Sequence, residues 1–490
     1  MTRTALVYRS LRHYWRSHLA VVAGVATAVA VLAGALLVGD SVRGSLRDLV
    51  LRRIGRADNV VVSTGFFREA LAGEIGGTPL VVMQGAVTEQ ASGRQVSRVL
   101  VYGVDDRFWS FHGISGMSGP SGDGAYLSQP LAADLGVAPG AEILVRVERP
   151  SAVPLESLHG RKEAPGRTIR LTTRDVLDAS HMGEFAIRPQ QGSVRAVFVP
   201  LARVQHDLDR ASQVNAILMA AGDGARVGGT LESALKQAAR LEDFGLRIRT
   251  LESQRALVLE ADAGMIDARR AAAADRAAAS LGLHQVPVLT YLANALRSGD
   301  RQVPYSLVTA GDLPGISPRL HSNGDASPFP IVINDWSAHD LGVRVGDPLT
   351  LDYYVWQEPG SLATKSAQFR IVDIVPLAGA AVDRDLAPVY PGITRAESFA
   401  DWDPPFPIDL GRVRRQDEDY WKQYRTTPKA FVPYAVGRTL WGSARYGDRT
   451  SIRVFPGPGE DVADAGRRLD AALRAALDPA AGGFSIVPVR

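Results

Sequence analysis

Two acidic groups are the residues whose type and spacing could do chemistry in this chain. Asp383 with Asp385, and Asp417 with Glu418 and Asp419, bring carboxylates close enough in sequence to hold a cation such as Ca²⁺. Neither group has the glycine and the terminal glutamate of an EF-type loop. We therefore interpret both groups as solvated acidic loops, and we expect no metal site and no cofactor.

Catalytic motifs are absent from the sequence. The chain has no cysteine, which excludes disulfides, thiolate nucleophiles and cysteine-based metal centres. It has no GxxxxGK[ST], HExxH or GxSxG motif, and no two of its nine histidines are four residues apart. His206–Asp207 and His339–Asp340 are sequence neighbours, whose side chains do not face each other on a helix. We expect no catalytic residue and predict that the chain is not an enzyme.

The elements that any function must use begin with an apolar run. Residues 19–39 contain no charged side chain, and no other run of this length is uncharged. A helix of about 20 residues crosses a bilayer core of roughly 30 Å. The small residues at 33–35 would allow a cleaved signal peptide, but the apolar region of a signal peptide is about 7–15 residues long. We predict a retained transmembrane helix.

Positive charge is concentrated around this run. Residues 1–56 carry nine arginines and two aspartates, a net +7, which leaves −4 for the rest of the chain. Arginines there can meet lipid head groups, whereas a nucleic-acid-binding protein would carry its charge on the folded body. Four arginines precede the run and five follow it, so the positive-inside rule does not settle the orientation.

Helical patterns flank the run on both sides. Apolar residues at helical spacing predict an interfacial elbow helix before it (Val7, Leu11, Tyr14, Trp15) and a stalk after it (Val42, Leu46, Leu49, Val50, Ile54). A helix that transmits movement would use both features.

Small residues four apart occur inside the run. Gly24 with Ala28, and Ala30 with Gly34, are spaced to let a second helix approach closely. The alternative is that alanine and glycine are simply common in this chain.

The rest of the chain is duplicated. Residues 126–145 and 332–351 both read as strand, short helix, Leu-Gly-Val, glycine and strand. Gly136 and Gly342 are predicted to end the helices, and Gly140 and Gly346 to turn the chain into the next strand. The further matches pair residues 196–201 with 429–434, 215–219 with 451–455, 231–236 with 469–474, and 245–249 with 483–487.

Two segments interrupt the repeat. The alanine-rich residues 251–280 predict a long helix, either an ordinary surface helix or a stalk, and the second copy reaches Arg490 where the matching helix would begin. We therefore expect a further helix beyond Arg490 that returns to the membrane. The insertion 378–419 carries prolines and aromatics, which suits either an ordered loop that contacts a partner or a solvated loop.

These patterns predict an α+β fold with a single N-terminal transmembrane helix followed by two related mixed-sheet extracytoplasmic lobes on helical stalks. The predicted divisions are the elbow, span (19–39) and stalk in 1–57, a first lobe in 58–250, a helical connector in 251–300 and a second lobe in 301–490.

The chain resembles FtsX-like permeases of ABC transporters that carry a MacB-type periplasmic domain. The resemblance rests on the order of the basic elbow, a span that ends at 37–43, the units at 125–147 and 331–353, and the segments 415–433 and 441–453. It implies a cytoplasmic N-terminus, an inner-membrane location and large extracytoplasmic lobes. Such permeases have three more spans in a C-terminal domain, which this sequence does not contain.

The resemblance also implies partners. They are a cytoplasmic ABC ATPase, a second permease copy or paralogue, membrane lipids and a periplasmic or outer-membrane protein; nucleic acid is not among them. The implied role is export, lipoprotein release or mechanical transmission. The alternatives are a membrane-anchored scaffold or adhesin, and a signal-anchored hydrolase.

Overall fold

A computed structural model of the protein describes residues 3–148, 166–188, 190, 192–220, 230–321, 327–357, 361–390, 392–404, 406–480 and 482–489. Two N-terminal helices precede two nine-stranded mixed sheets with helices packed on them. The fold class is α+β, with two similar lobes.

The helices of the described residues are α1 (Arg3–His13), α2 (Trp15–Ile54), α3 (Ala70–Glu74), α4 (Asp106–His112), α5 (Gln129–Leu135), α6 (Leu201–Asp207), α7 (Leu231–Ala238), α8 (Ala268–Ser280), α9 (Asp335–Leu341), α10 (Arg415–Tyr424), α11 (Tyr434–Trp441) and α12 (Val462–Ala476). The strands are β1 (Ala57–Arg68), β2 (Thr78–Glu89), β3 (Gln95–Val104), β4 (Gly124–Ser128), β5 (Glu142–Val147), β6 (Arg167–Leu177), β7 (Ala196–Pro200), β8 (Gln213–Ala220), β9 (Leu246–Leu251), β10 (Ala256–Ala261), β11 (His284–Ser298), β12 (Arg301–Ala310), β13 (Phe329–Asn334), β14 (Pro348–Gln357), β15 (Ser361–Val375), β16 (Ala430–Val432), β17 (Ser451–Phe455) and β18 (Phe484–Pro488).

Each sheet closes into a six-stranded barrel with a three-stranded extension. In the first lobe the barrel order is β2-β3-β7-β4-β6-β5, with β5 pairing back to β2, and β8, β1 and β18 extend the sheet. In the second lobe the order is β12-β16-β13-β15-β14-β11, with β11 pairing back to β12, and the extension is β17, β10 and β9. Closure removes the unpaired edges of the barrel itself, and β18 and β9 are the edge strands of the two extensions.

Strand pairing confirms the duplication residue by residue. Tyr126 pairs with Phe198 in the first copy, and Val332 pairs with Phe431 in the second. One of the sequence matches is wrong by one position. Leu80 and Val288 hold the same position in the two copies; Ala216 pairs with Leu80, and Ser451 pairs with Val288. Ala216 therefore corresponds to Ser451, and Asn215 corresponds to Thr450 rather than to Ser451. The strands are short and apolar in both copies, so composition alone did not fix their register.

The two copies exchange their last strands. β9, which ends the first copy, pairs with β10 of the second copy, and β18, which ends the second copy, pairs with β1 of the first. One hydrophobic cluster contains side chains from both copies, among them Phe67, Leu71, Leu235, Leu469 and Phe484. The two lobes therefore share a core.

The predicted helix over 251–280, and with it the helical connector 251–300, is wrong over most of its length. The segment contains β10, α8 and β11, which are the first elements of the second copy, and apart from one 3-10 turn at Glu252–Gln254 only Ala268–Ser280 is helical. Leu257, Val258 and Leu259 are all buried, which a strand covered on both faces produces and a surface helix does not. The comparison that predicted a helix beyond Arg490 loses its basis, because β9 leads into another strand.

The insertion 378–419 is not a solvated loop in its described part, and contact with a partner stays a prediction. Its described part packs on the second lobe, and Tyr390, Phe399, Trp402 and Phe406 are buried in that lobe's core with Trp421 of α10. Large aromatic side chains contribute much apolar area when they are buried, which explains why this segment is ordered against its own barrel. Pro391 and Pro405 lie outside the described residues.

Candidate functional site

Helix α2 is long and apolar enough to cross a membrane. It spans 40 residues and contains the whole apolar run; its most apolar stretch has no residue buried in the protein, and its length and composition would let it cross a membrane. Helix α1 precedes it as a separate element, with a bend at Tyr14 and the Arg16 guanidinium 5.6 Å from the Trp15 ring. The sequence predicted both helices. A membrane-anchored protein with a large external body fits this arrangement.

The small residues of the span do not contact any other part of the described protein. A side chain added at Gly24 or Gly34 would meet nothing within 4 Å. Ala28 and Ala30 are also exposed. Close approach of a second helix at these four residues stays a prediction.

The stalk is exposed at first and buried at its end. Val42 and Leu46 are about half exposed, at 52% and 49%, whereas Leu49 and Val50 are half-buried and Ile54 is 2% exposed. Ile54 belongs to a hydrophobic cluster of the first lobe, with Val50 packed against it. The last turn of α2 is thus part of the first lobe's core.

Arg53 fixes this last turn to a loop of the first lobe. Its Nε and Nη2 donate to Glu184 Oε2 at 3.0 and 2.8 Å, and its Nη1 donates to the Gln190 carbonyl at 2.7 Å. The Ala186 amide in turn donates to the Arg53 carbonyl at 3.3 Å. Arg53 is only 9% exposed, so loss of Glu184 would leave the Arg53 charge buried without its partner.

The chain passes from α2 into β1 through a tight turn at Gly55. Gly55 has φ +67°, and a Cβ there would collide with the His112 ring and with Met182 Cε. Only glycine adopts this conformation without strain and without that collision. Strand β1 begins two residues later, at Ala57, so no flexible linker separates helix and lobe.

An aromatic cluster receives the turn. Phe108, Trp109 and His112 of α4 pack with Tyr102, Phe185 and Phe198 of the first lobe. His112 Nδ1 accepts the Arg56 amide at 3.3 Å, so the neutral ring carries its proton on Nε2. Burial, with the nearby Arg56 charge, lowers the pKa of His112 to about 4. The sequence analysis assigned no role to Arg53, Glu184 or His112; the one available signal was a glycine directly after the stalk pattern.

The turn glycines of the repeat have matching backbones. Gly136 and Gly342 end α5 and α9 with φ +69° and +68°, and Gly140 and Gly346 have φ +95° and +98°. An arginine covers each helix end, because a Cβ at Gly136 would touch Arg94 and one at Gly342 would touch Arg301. A cation at this position interacts favourably with the helix dipole. These glycines shape the repeat and lie apart from the helix junction.

The acidic groups of the insertion are paired with arginines. Asp383 accepts from Arg453 at 2.8 Å, Asp385 lies 3.2 Å from Arg249, and Asp417 accepts from Arg414 at 2.8 Å. The interpretation as solvated acidic loops is wrong for Asp383 and Asp417, which are 9% and 0% exposed. Among the residues that the structure describes, no group of three or more potential metal ligands comes together.

Comparisons with known proteins give structural likeness only. No protein-family model matches the chain, and no curated protein matches it. The chain is similar to the periplasmic region of MacB from Actinobacillus actinomycetemcomitans, with 11% identity, a TM-score of 0.25, and coverage of 38% of this chain and 84% of that chain. It is also similar to the extracellular domain of the noncanonic ABC-type transporter YknZ from Gram-positive bacteria, with 9% identity, a TM-score of 0.24, and coverage of 36% and 92%.

Proposed function

We propose that this chain is part of an ABC transporter permease, in which a cytoplasmic ATPase partner drives movement of the two external lobes. The class comes from the sequence resemblance to FtsX-like permeases. The observation that carries the proposal is the junction, where a helix able to cross a membrane enters the first lobe without a flexible linker. The movement serves export, lipoprotein release or mechanical transmission.

The junction suits a helix that acts as a lever. At 1.5 Å per residue, α2 is about 60 Å long. Its far end is fixed by Ile54 in the core and by Arg53 on Glu184 and Gln190. The turn at Gly55 packs closely against His112 and Met182. A tilt of the helix at the membrane would therefore rotate the first lobe rather than bend a hinge.

The proposal includes retention of the span. Helix α2 continues unbroken through residues 33–35, the small residues that a signal peptidase would need. Cleavage there would leave an exposed apolar stub on a helix whose last turn belongs to the core. We place the N-terminus in the cytoplasm, α2 in the inner membrane, and the lobes outside.

The proposed partners follow from what is exposed. A second permease copy or paralogue would pack on Gly24, Ala28, Ala30 and Gly34, and lipid head groups would meet the arginines on both sides of the span. A periplasmic or outer-membrane protein would contact the lobes. We assign no catalysis to the chain itself.

The test uses the absence of cysteine from the chain. A single label at Ser97→Cys, exposed on β3, reports movement of the first lobe in complexes isolated from the native membrane. We expect ATPase activity to co-purify and Mg·ATP to change the label's signal. A four-residue Gly-Ser insertion after Ser45 of α2 should abolish this change and leave the ATPase activity in place.

The matched control is the same insertion after Gly122, in an exposed turn of the first lobe, which should leave the signal intact. If no ATPase co-purifies, the membrane-anchored scaffold becomes the better explanation. If the signal survives the insertion after Ser45, α2 is not a lever.

A further inference from the structure

The two lobes differ at one surface groove. In the first lobe a groove of about 540 Å³ runs between β1, β2, β8 and β18. Its floor is apolar and includes Val62, Val82 and Leu100, and its rim includes Asn215, Arg188 and Ser485. We call this the first-lobe groove.

The second lobe has the same positions. Val62 pairs with Ala216 and Ser485, and Glu260 pairs in the same way with Ser451 and Arg247. One polar contact is also repeated. The Asn215 side chain bonds the backbone N–H and C=O of Val82 at 2.8 and 2.9 Å, and the Thr450 hydroxyl accepts the N–H of Thr290 at 3.1 Å.

In the second lobe the chain itself covers these positions. The Thr290 hydroxyl donates to the Leu386 carbonyl at 2.6 Å, and the Tyr390 hydroxyl donates to the Thr290 carbonyl at 2.8 Å. Ala387, Pro388 and Val389 line a cavity of about 250 Å³ together with Glu260 and Thr450. Residues 385–390 of the insertion thus occupy part of the second-lobe counterpart of the groove and narrow it.

In the first lobe the corresponding loop reaches only the rim. The Tyr102 hydroxyl donates to the Phe185 carbonyl at 3.1 Å. In the second lobe the Thr290 hydroxyl makes the similar bond to the Leu386 carbonyl, and Thr290 pairs with Thr309, which is the counterpart of Tyr102. Beyond Phe185 the loop contributes Ile187, Arg188 and Gln190 to one wall of the groove. The floor that residues 387–390 cover in the second lobe is open here.

We propose that the first-lobe groove binds a short peptide segment of another protein, seated as residues 385–390 are seated in the second lobe. The duplicated lobe supplies the chemistry of the occupant: an irregular, apolar segment with a proline, an aromatic hydroxyl and one carboxylate. Val62, Val82 and Leu100 would contact the apolar side chains. Arg188, exposed at the rim, would pair with the carboxylate, the part that Arg249 plays for Asp385.

The groove is next to the loop that holds the end of α2. Gln190, which lines it, holds the Arg53 guanidinium of α2 through its carbonyl. A bound segment would therefore contact the loop that fixes the end of α2. Binding itself does not depend on the proposed transporter function.

The probe is a fluorescent synthetic peptide with the sequence of residues 383–392 of this chain, added to the full chain in lipid nanodiscs. We expect saturable binding by fluorescence anisotropy, and none by a scrambled peptide. Ser485→Trp, which fills the groove from an exposed strand position, should weaken binding about tenfold or more. Thr172→Trp, at an exposed position of β6 in the same lobe, is the control and should bind as the wild type does.

A second pair of variants tests the charge. Arg188→Glu should weaken binding several-fold, whereas Arg167→Glu, exposed on β6 of the same lobe, should not. The proposal is overturned if the wild type does not bind the peptide, or if Ser485→Trp and Thr172→Trp bind it equally. The second result would place the peptide outside the first-lobe groove, for example on the second lobe in exchange with the insertion.

Discussion

The two lobes are built on one strand plan and are used differently at the same places. The loop between β6 and β7 of the first lobe holds the end of the membrane helix through Glu184 and Gln190. The loop between β15 and β16 of the second lobe instead folds back on its own barrel. The duplicated barrels supply the frame, and the connecting segments decide what each lobe contacts, as is usual for loops on a rigid scaffold.

A buried position shows the difference most sharply. Leu218 of β8 is fully buried among apolar side chains, and its counterpart in β17 is Arg453, which is 1% exposed. Arg453 Nη2 donates to Asp383 at 2.8 Å and its Nη1 donates to Gln254 at 3.2 Å. The same site in the frame therefore accepts either a leucine or a paired arginine, provided that the insertion supplies the carboxylate.

The largest expected effect comes from making this site alike in both lobes. Arg453→Leu leaves the Asp383 carboxylate buried without its partner, and we expect a loss of about 3–5 kcal/mol in the free energy of unfolding. Arg453→Leu with Asp383→Asn removes the charge as well and should recover most of that loss. Denaturant unfolding followed by tryptophan fluorescence measures both. Equal losses in the single and double variants would contradict the ion-pair explanation.

A smaller expected effect is a pH-dependent contribution to stability from His112, a residue of the first lobe. Helix α4, which carries His112 at the junction, has no helical counterpart in the described part of residues 311–328. Because the folded protein lowers the pKa of His112 to about 4, protonation favours the unfolded chain, whose histidine titrates near 6.5. This contribution to stability is complete above pH 6.5 and is lost as the pH falls towards 4, by an amount on the order of 3 kcal/mol.

His112→Gln should flatten the unfolding free energy between pH 6.5 and 4 by about this amount. His206→Gln is the control, because His206 lies on the surface of α6 with 84% of its side chain exposed, and it should leave the slope unchanged. Thermal unfolding at a series of pH values measures the slope. A slope that persists in His112→Gln would assign the pH dependence to other groups.

The smallest expected effect tests how helices sit on the barrels. In the first lobe Gly103 of β3 leaves room for Val204 of α6, whose Cβ would lie 3.4 Å from a Cβ at Gly103. In the second lobe the sizes are reversed, because Gly437 of α11 faces Ala310 of β12. Gly437→Val should cost about 1–3 kcal/mol by overpacking, and Ala310→Gly in the same chain should recover part of it. Thermal melting of the three proteins checks this; no recovery in the pair would place the collision elsewhere.

The sequence predicted the elements that carry their own local signals. The Ser128 and Asn334 side chains cap α5 and α9, Gly136 and Gly342 end these helices, and a strand follows each, so the repeat unit could be recognised without an alignment. The long apolar helix α2 was also predictable, because an uncharged run of 21 residues is typical of a helix that can cross a membrane.

The features that the sequence did not reveal depend on distant contacts. β10 has four consecutive buried apolar residues (256–259) and no alternation, so its pattern does not distinguish a covered strand from a helix. Arg53 and Glu184 are 131 residues apart, and Asp383 meets Arg453 across 70. The local sequence around each of these residues does not indicate which distant residue it contacts. The local sequence likewise does not indicate that the groove is narrowed in one lobe and open in the other.

The exchanged strands have a mechanical consequence. A protease that cut the backbone between β9 and β10 would release neither half of the chain. The C-terminal half would still be hydrogen-bonded to the N-terminal half through β18 on β1 and through β10 on β9. The two severed pieces would stay interlocked and would melt together. If the first lobe turns, the second barrel therefore has to turn with it, because the exchanged strands join the two lobes into a single interlaced body.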